Sequence, residues 1–155
     1  MKMNWKKLII CLIIPLAVGG LATLVSGGMS GYRIIHQPPL SPPGWLFPIV
    51  WTILYLLMGY ASYRFFTADA DPKLTCKGLR LYGAQLALNF LWPVVFFGFH
   101  AYLPAFVVLI VLWVLIFLTV RIFSQADDLS GNLLLPYLLW VTFAGYLNLG
   151  VYLLN

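Results

Sequence analysis

A chain of 155 residues with 63% hydrophobic content, 8% charged content and a mean hydropathy of +0.95 is too apolar for a soluble globular domain. Its net charge of +5 does not point to nucleic acid, because the nine Lys and Arg residues flank apolar runs and do not gather on one basic face. A hydrocarbon core about 30 Å thick takes roughly 20 apolar residues per helix, and five such runs use up nearly the whole sequence. The expected fold is an all-α membrane protein, a five-transmembrane-helix bundle forming a single domain over residues 1–155.

The first run, residues 5–27, follows Lys2, Lys6 and Lys7. That pattern also describes a secretory signal peptide, but the apolar stretch from Leu8 to Val25 is longer than a usual h-region and no A-x-A site follows. The run is therefore expected to remain as a span. Residues 28–44 form the longest connector and end in Gln37-Pro38-Pro39-Leu40-Ser41-Pro42-Pro43-Gly44. Proline fixes φ and favours an extended, stiff segment, which serves either as a lid over the bundle mouth or as a tether.

The remaining spans are expected at about 45–66, 79–99, 103–123 and 133–153. Unbroken apolar runs lack the two-residue alternation of a barrel strand, so helices are required. Pro15, Pro48, Pro93 and Pro136 fall within or at the ends of spans, where they kink helices and free carbonyls. The fourth span is aliphatic nearly all round apart from Trp113 and is expected to face lipid. Cys11 lies in the first run and Cys76 in a charged loop, so no disulfide between them is expected.

Basic residues set the orientation. Lys2, Lys6, Lys7, Arg64, Lys73, Lys77, Arg80 and Arg121 share one side, and only Arg33 lies opposite. The positive-inside rule then places the N-terminus inside and the C-terminus outside.

The four acids, Asp69, Asp71, Asp127 and Asp128, all lie in connectors, and the spans hold no carboxylate. Proton- or cation-coupled transport and hydrolytic catalysis are disfavoured on that ground. His36 and His100 fall far apart in or near connectors, and no metal site is expected. What the spans hold is a set of aromatic and amide stripes at helical spacing: Trp51 and Tyr55; Gln85, Asn89, Trp92 and Phe96; Tyr137, Trp140, Ala144 and Asn148.

Turning these stripes inward keeps the amides out of hydrocarbon and yields either a ligand pocket or a tight helix interface. Trp5, Trp45 and Tyr102 flank spans and read as interfacial belt residues. A pocket of this composition suits a flat apolar ligand such as a tetrapyrrole, a sterol or a fused-ring drug, with Arg33 near the mouth to meet a carboxylate. Small residues at Gly19, Gly20, Gly27, Gly31, Gly83 and Ala87 suit packing within the bundle or a homodimer.

Three ordered strings carry a more specific signal: Pro42-Pro43-Gly44-Trp45 through Pro48-Ile49-Val50-Trp51-Thr52 to Met58-Gly59-Tyr60; Asn89-Phe90-Leu91-Trp92-Pro93 with Phe96-Phe97-Gly98; and Pro136-Tyr137-Leu138-Leu139-Trp140 ending at Leu147-Asn148. In these the chain resembles the TspO family, also called tryptophan-rich sensory proteins, translocator protein or peripheral benzodiazepine receptor. The resemblance implies a homodimeric five-helix receptor whose pocket, beneath the first connector, accepts porphyrins, haem and isoquinoline- or benzodiazepine-type ligands. It implies no required cofactor, porphyrin or haem entering as ligand. Carried over by motif, the pocket comprises Trp51, Asn89, Phe90, Trp92, Trp140, Phe143, Ala144 and Leu147, closed by Tyr32 and Pro42.

Bacterial members imply light-dependent porphyrin breakdown, with Trp51 and Trp140 acting by oxidation or radical transfer. A transporter of porphyrins or other small apolar molecules is the alternative. The chain departs from vertebrate members at Tyr152-Leu153-Leu154-Asn155, which lacks the basic residue that closes their proposed cholesterol motif. That departure puts sterol handling in doubt and favours a bacterial cell membrane over the mitochondrial outer membrane.

Overall fold

The computed structural model describes residues 3–28 and 35–155. Tyr32 and Arg33 lie outside the described residues. The elements, in chain order, are α1 (Trp5–Ser26), α2 (Leu46–Thr67), α3 (Pro72–Pro93), a π-helical turn (Val94–Gly98), α4 (Tyr102–Ala126), a short α5 (Asp128–Asn132) and α6 (Leu135–Leu154). Five helical segments are long and apolar enough to cross a membrane, and the described residues contain no strand.

Local chemistry explains the ends. Asn4 caps α1 by accepting from the Lys7 amide at 3.2 Å, and Gly27 ends it at φ 83°, in the left-handed region that glycine enters without a Cβ clash. Asp71 caps α3 by accepting from the Lys73 amide, with Pro72 in the first turn, where its missing N–H costs nothing. The third helix therefore begins at Pro72 and not near Leu79: its first turns are polar, but cap and proline start the helix before the apolar run does.

At the other end of α3, Pro93 cannot donate to the preceding turn, and the chain widens. The Phe99 amide reaches back to Val94 O at 3.0 Å and the Ala101 amide to Val95 O at 3.1 Å.

The helices alternate in direction, so Lys6, Lys7, Arg64, Lys73, Lys77 and Arg121 gather at one end of the bundle. At that end the helices are tied together beside an open groove lined by Lys7, Tyr63, Arg64 and Asp127. Arg64 grips Asp127 through two bonds, Nε to Oδ2 at 2.6 Å and Nη2 to Oδ1 at 3.3 Å. The Ser130 hydroxyl, fully buried, donates to Ala61 O at 2.7 Å, and the Phe65 and Phe123 rings stack at 4.2 Å. Met58, Ala61, Leu112 and Ile116 fill the space behind them.

The Asp127 carboxyl is held below the usual carboxylate range, chiefly by the Arg64 hydrogen bonds, against the opposing effect of burial. A depressed carboxylate contributes stability that is complete above its unfolded value, about pH 4, and lost as pH falls through its folded value. Thermal unfolding in detergent is expected to lose more stability between pH 7 and pH 3 for the wild type than for Asp127→Asn. Equal losses would show that the pair does not support the fold.

The fourth helix departs from expectation. One of its faces is exposed to lipid through Val107, Ile110, Val111, Val114 and Leu118. The other is buried: Ala105, Leu109, Leu112, Ile116, Thr119 and Phe123 pack on α3 and α6. Leu and Ile pack as well on a helix as on an acyl chain, so an aliphatic surface does not mark the lipid side. Cys11 and Cys76 are both free, and both line an open groove between α1, α2 and α3.

Candidate functional site

Toward the end opposite the basic one, the bundle is hollow. A cavity of about 180 Å³ opens between α1, α2, α3 and the π-helical turn. From α1 come Gly19, Ala22, Thr23 and Ser26, positions i, i+3, i+4 and i+7, which make one helical face. The α2 side supplies Phe47, Pro48, Trp51 and Tyr55, and the α3 side supplies Asn89, Trp92 and Pro93. Phe97, on the widened turn, completes the wall.

Gly19 makes room for the site: a Cβ there would collide with the Tyr55 ring. Trp51 lies 5.6 Å from Tyr55 and 6.3 Å, edge-on, from Tyr137, so its ring links the aromatic residues of α2 to α6. Trp92 is fixed at its polar end, because its Nε1 donates to Asn148 Oδ1 at 2.8 Å while Asn148 Nδ2 donates to Tyr102 O at 2.8 Å. Asn148 is fully buried and thus ties α6 to α3 and to the start of α4.

Below the cavity the polar side chains satisfy one another. Tyr55 Oη donates to Asn89 Oδ1 at 2.9 Å, Asn89 Nδ2 to Tyr137 Oη at 2.7 Å, and Tyr137 Oη to Gln85 Oε1 at 2.7 Å. Gln85, Asn89 and Tyr137 are 2%, 3% and 1% exposed, so these amides sit in the bundle and not in lipid. Among the described residues no group of His, Cys, Asp and Glu is placed to hold a metal.

The connector's described part, residues 35–44, is strapped to α6. The His36 amide donates to Asn155 Oδ1, Asn155 Nδ2 returns a bond to His36 O, and Tyr146 Oη donates to Pro39 O. Pro38 lies so close to Gly150 that a Cβ there would fall 2.5 Å from the ring.

The sequence is matched by known proteins. The TspO/MBR family profile covers residues 9–154. This chain belongs to the TspO/MBR family. It is similar to Protein CrtK of Rhodobacter capsulatus, 40% identical over 80% of this chain and 78% of that one. It is also similar to the tryptophan-rich protein TspO of Chlorobaculum tepidum, 36% identical over 96% and 95%. A mammalian relative, the translocator protein of Bos taurus, is 37% identical over 78% and 72%. TspO/MBR membership carries a receptor or sensor role at a membrane.

Within this TspO/MBR bundle the residues singled out by motif do not all share one site. Trp51, Asn89 and Trp92 line the cavity itself. Trp140 and Phe143 line a second space, a groove of about 430 Å³ between α2 and α6. Phe47 bridges the two, its ring 5.7 Å from Trp140 and on the cavity wall. The Trp140 Nε1 atom is buried and has no hydrogen-bond partner among the described residues.

Ala144 and Leu147 are 4% and 8% exposed; Ala144 belongs to the main core and Leu147 packs with Phe47, Trp51 and Trp140. Phe90 and Pro42 are half-buried and are not on the cavity wall. The whole α1 face was missed by motif. Its signal was present as a run of small residues, Gly19, Ala22, Thr23 and Ser26, on one side of an otherwise bulky helix.

Proposed function

We propose that the chain is a membrane receptor whose cavity binds flat aromatic molecules of the porphyrin class, and fused-ring ligands of the isoquinoline or benzodiazepine type. The observation that carries this reading is the cavity wall, where Phe47, Trp51, Trp92 and Phe97 surround a polar floor of Tyr55 and Asn89. Aromatic walls reward a polarisable ring by stacking, and a few convergent polar atoms set its orientation. Small-molecule sites commonly run to about 300–1,000 Å³, so a cavity of about 180 Å³ takes a bicyclic ligand as it stands. A tetrapyrrole enters by its edge and parts the wall.

Protoporphyrin titrated in the dark into detergent-solubilised protein is expected to quench tryptophan fluorescence saturably. Trp51→Phe is expected to weaken the affinity by roughly 2- to 10-fold, the value of one aromatic contact. Trp140→Phe is expected to change affinity less, because Trp140 lines the groove between α2 and α6 and packs behind the cavity wall on Phe47 and Leu147. Linear quenching that neither substitution alters would mean partitioning into the micelle and would overturn the receptor reading. Repeating the measurement in light and oxygen, at protoporphyrin concentrations that saturate both proteins, tests porphyrin breakdown, for which loss of product in Trp51→Phe is the expected signature.

The same reading places the protein in a bacterial cell membrane with its basic end inside. It forms a homodimer through α3, where Gly83 and Ala87 lie on the exposed face and are not spent inside the bundle.

A further inference from the structure

Among the described residues, each hydroxyl on the cavity wall has spent its hydrogen on the protein. Thr23 Oγ1 donates to Gly19 O at 3.0 Å, Ser26 Oγ to Thr23 O at 3.2 Å, and Tyr55 Oη to Asn89 Oδ1. Each of these oxygens keeps lone pairs and has no hydrogen left to give. Of the N–H groups on the wall, Trp92 Nε1 is committed to Asn148, while Asn89 retains a second amide hydrogen and Trp51 its indole hydrogen.

The Tyr55 bond is the first link of a chain whose donors all run one way. From Tyr55 it passes through Asn89 and Tyr137 to Gln85, whose Nε2 faces Met58 Sδ at 4.0 Å. The buried end fixes that direction. Met58 is 0% exposed, and a thioether sulfur accepts weakly and donates nothing. Gln85 therefore turns its nitrogen to the sulfur and its carbonyl to Tyr137. Reversal would set the Gln85 oxygen against the sulfur with no hydrogen between them. Successive links polarise one another, so the oxygen at the head of the chain, Tyr55 Oη, becomes a better acceptor than an isolated phenol.

We propose that the Tyr55–Asn89–Tyr137–Gln85 chain makes the cavity selective for a flat aromatic ligand that donates an N–H or O–H to Tyr55, over one of the same shape that offers only an acceptor. This rests on the reading of the cavity as an aromatic-ligand site. It adds Tyr55 as the residue that selects and Asn89, Tyr137, Gln85 and Met58 as the residues that set its polarity.

The test uses two probes of nearly equal shape, indole, which carries an N–H, and benzofuran, which carries an oxygen in its place. Protein with ¹⁵N-labelled tryptophan is titrated with each in micelles, following the Trp51 and Trp92 indole signals, with Trp51→Phe identifying the first. Saturable shifts are expected for both, with indole favoured by about three- to tenfold, one hydrogen bond's worth. In Tyr55→Phe the preference is expected to vanish because indole weakens while benzofuran does not. Met58→Leu, a volume-conserving change that frees the chain to reverse, is expected to reduce the preference in a protein with its ring set intact.

Equal affinities in the wild type, a preference for benzofuran, a preference untouched by both substitutions, or no saturable shift with either probe would each overturn the proposal. Protoporphyrin quenching is measured on the same samples. Saturable quenching without indole preference would sink the selectivity and leave the receptor reading standing.

Discussion

Replacing Gly59 by alanine is expected to destabilise the bundle by about 1–3 kcal/mol, and by leucine considerably more. Gly59 lies where α2 crosses α1. A Cβ built there falls 2.7 Å from both Cys11 O and Leu12 Cα, which are backbone atoms and cannot swing aside as a side chain does. The only relief is to part the two helices, and that would also pull Gly19 away from the Tyr55 ring and open the cavity wall. In lipid, helix association depends on such close approach, because apolar side chains gain nothing by leaving acyl chains for one another.

Gly20 provides the contrast. A Cβ at that position meets nothing within 4 Å, so Gly20→Ala is expected to be neutral or to stabilise by up to about 1 kcal/mol through reduced backbone freedom. Thermal unfolding followed by helix content in one detergent decides between them. A Gly59→Ala protein as stable as the wild type would show that the crossing is not locked.

The second large effect is expected at Asn148. Replacing it by leucine keeps the volume roughly constant but strands the Trp92 indole N–H and the Tyr102 carbonyl, both at 2.8 Å from the amide now. Interhelical hydrogen bonds in membranes average about 0.6 kcal/mol and reach about 1.7, so the pair together accounts for roughly 1–3 kcal/mol. The consequence for binding is larger than that figure suggests. Trp92 stands on the cavity wall, and without its anchor the indole is free to leave the orientation that shapes the site.

Asn148→Leu is therefore expected to lower the unfolding temperature and to weaken protoporphyrin quenching together. Leu149→Val, one position on and turned outward, is expected to change neither. A stable Asn148→Leu protein with unchanged quenching would show that the anchor does not shape the cavity.

Much of this was legible in the sequence, for a physical reason. A backbone in lipid has so few options that five apolar runs mean five helices. Gln85, Asn89 and Asn148 had to turn inward once they lay at helical spacing among tryptophans, and all three are buried as the stripes require. The start of α3 was harder, because hydropathy marks where lipid begins, whereas the cap at Asp71 and Pro72 marks where the helix begins. The π-helical turn after Pro93 follows from the missing amide, but its width, which brings Phe97 onto the wall, depends on neighbours that no single helix reveals.

The buried face of α4 was illegible for the reason already given: leucine looks the same against lipid and against protein. The motif strings located Trp51, Asn89 and Trp92 on the cavity, but helical spacing alone does not separate Trp140 from it. The distinction is set by how far α6 stands from α2.

The asymmetry between the two ends has a consequence for traffic. At one end stand the Arg64–Asp127 grip, the Ser130 bond and the stacked Phe65 and Phe123 rings; at the other is the hollow. Between the two lie the Tyr55–Asn89–Tyr137–Gln85 hydrogen bonds and the buried Met58, Leu112 and Ile116. In this arrangement a straight passage from the hollow to the basic end would have to part the packed Met58, Leu112 and Ile116 before it met the Arg64 grip.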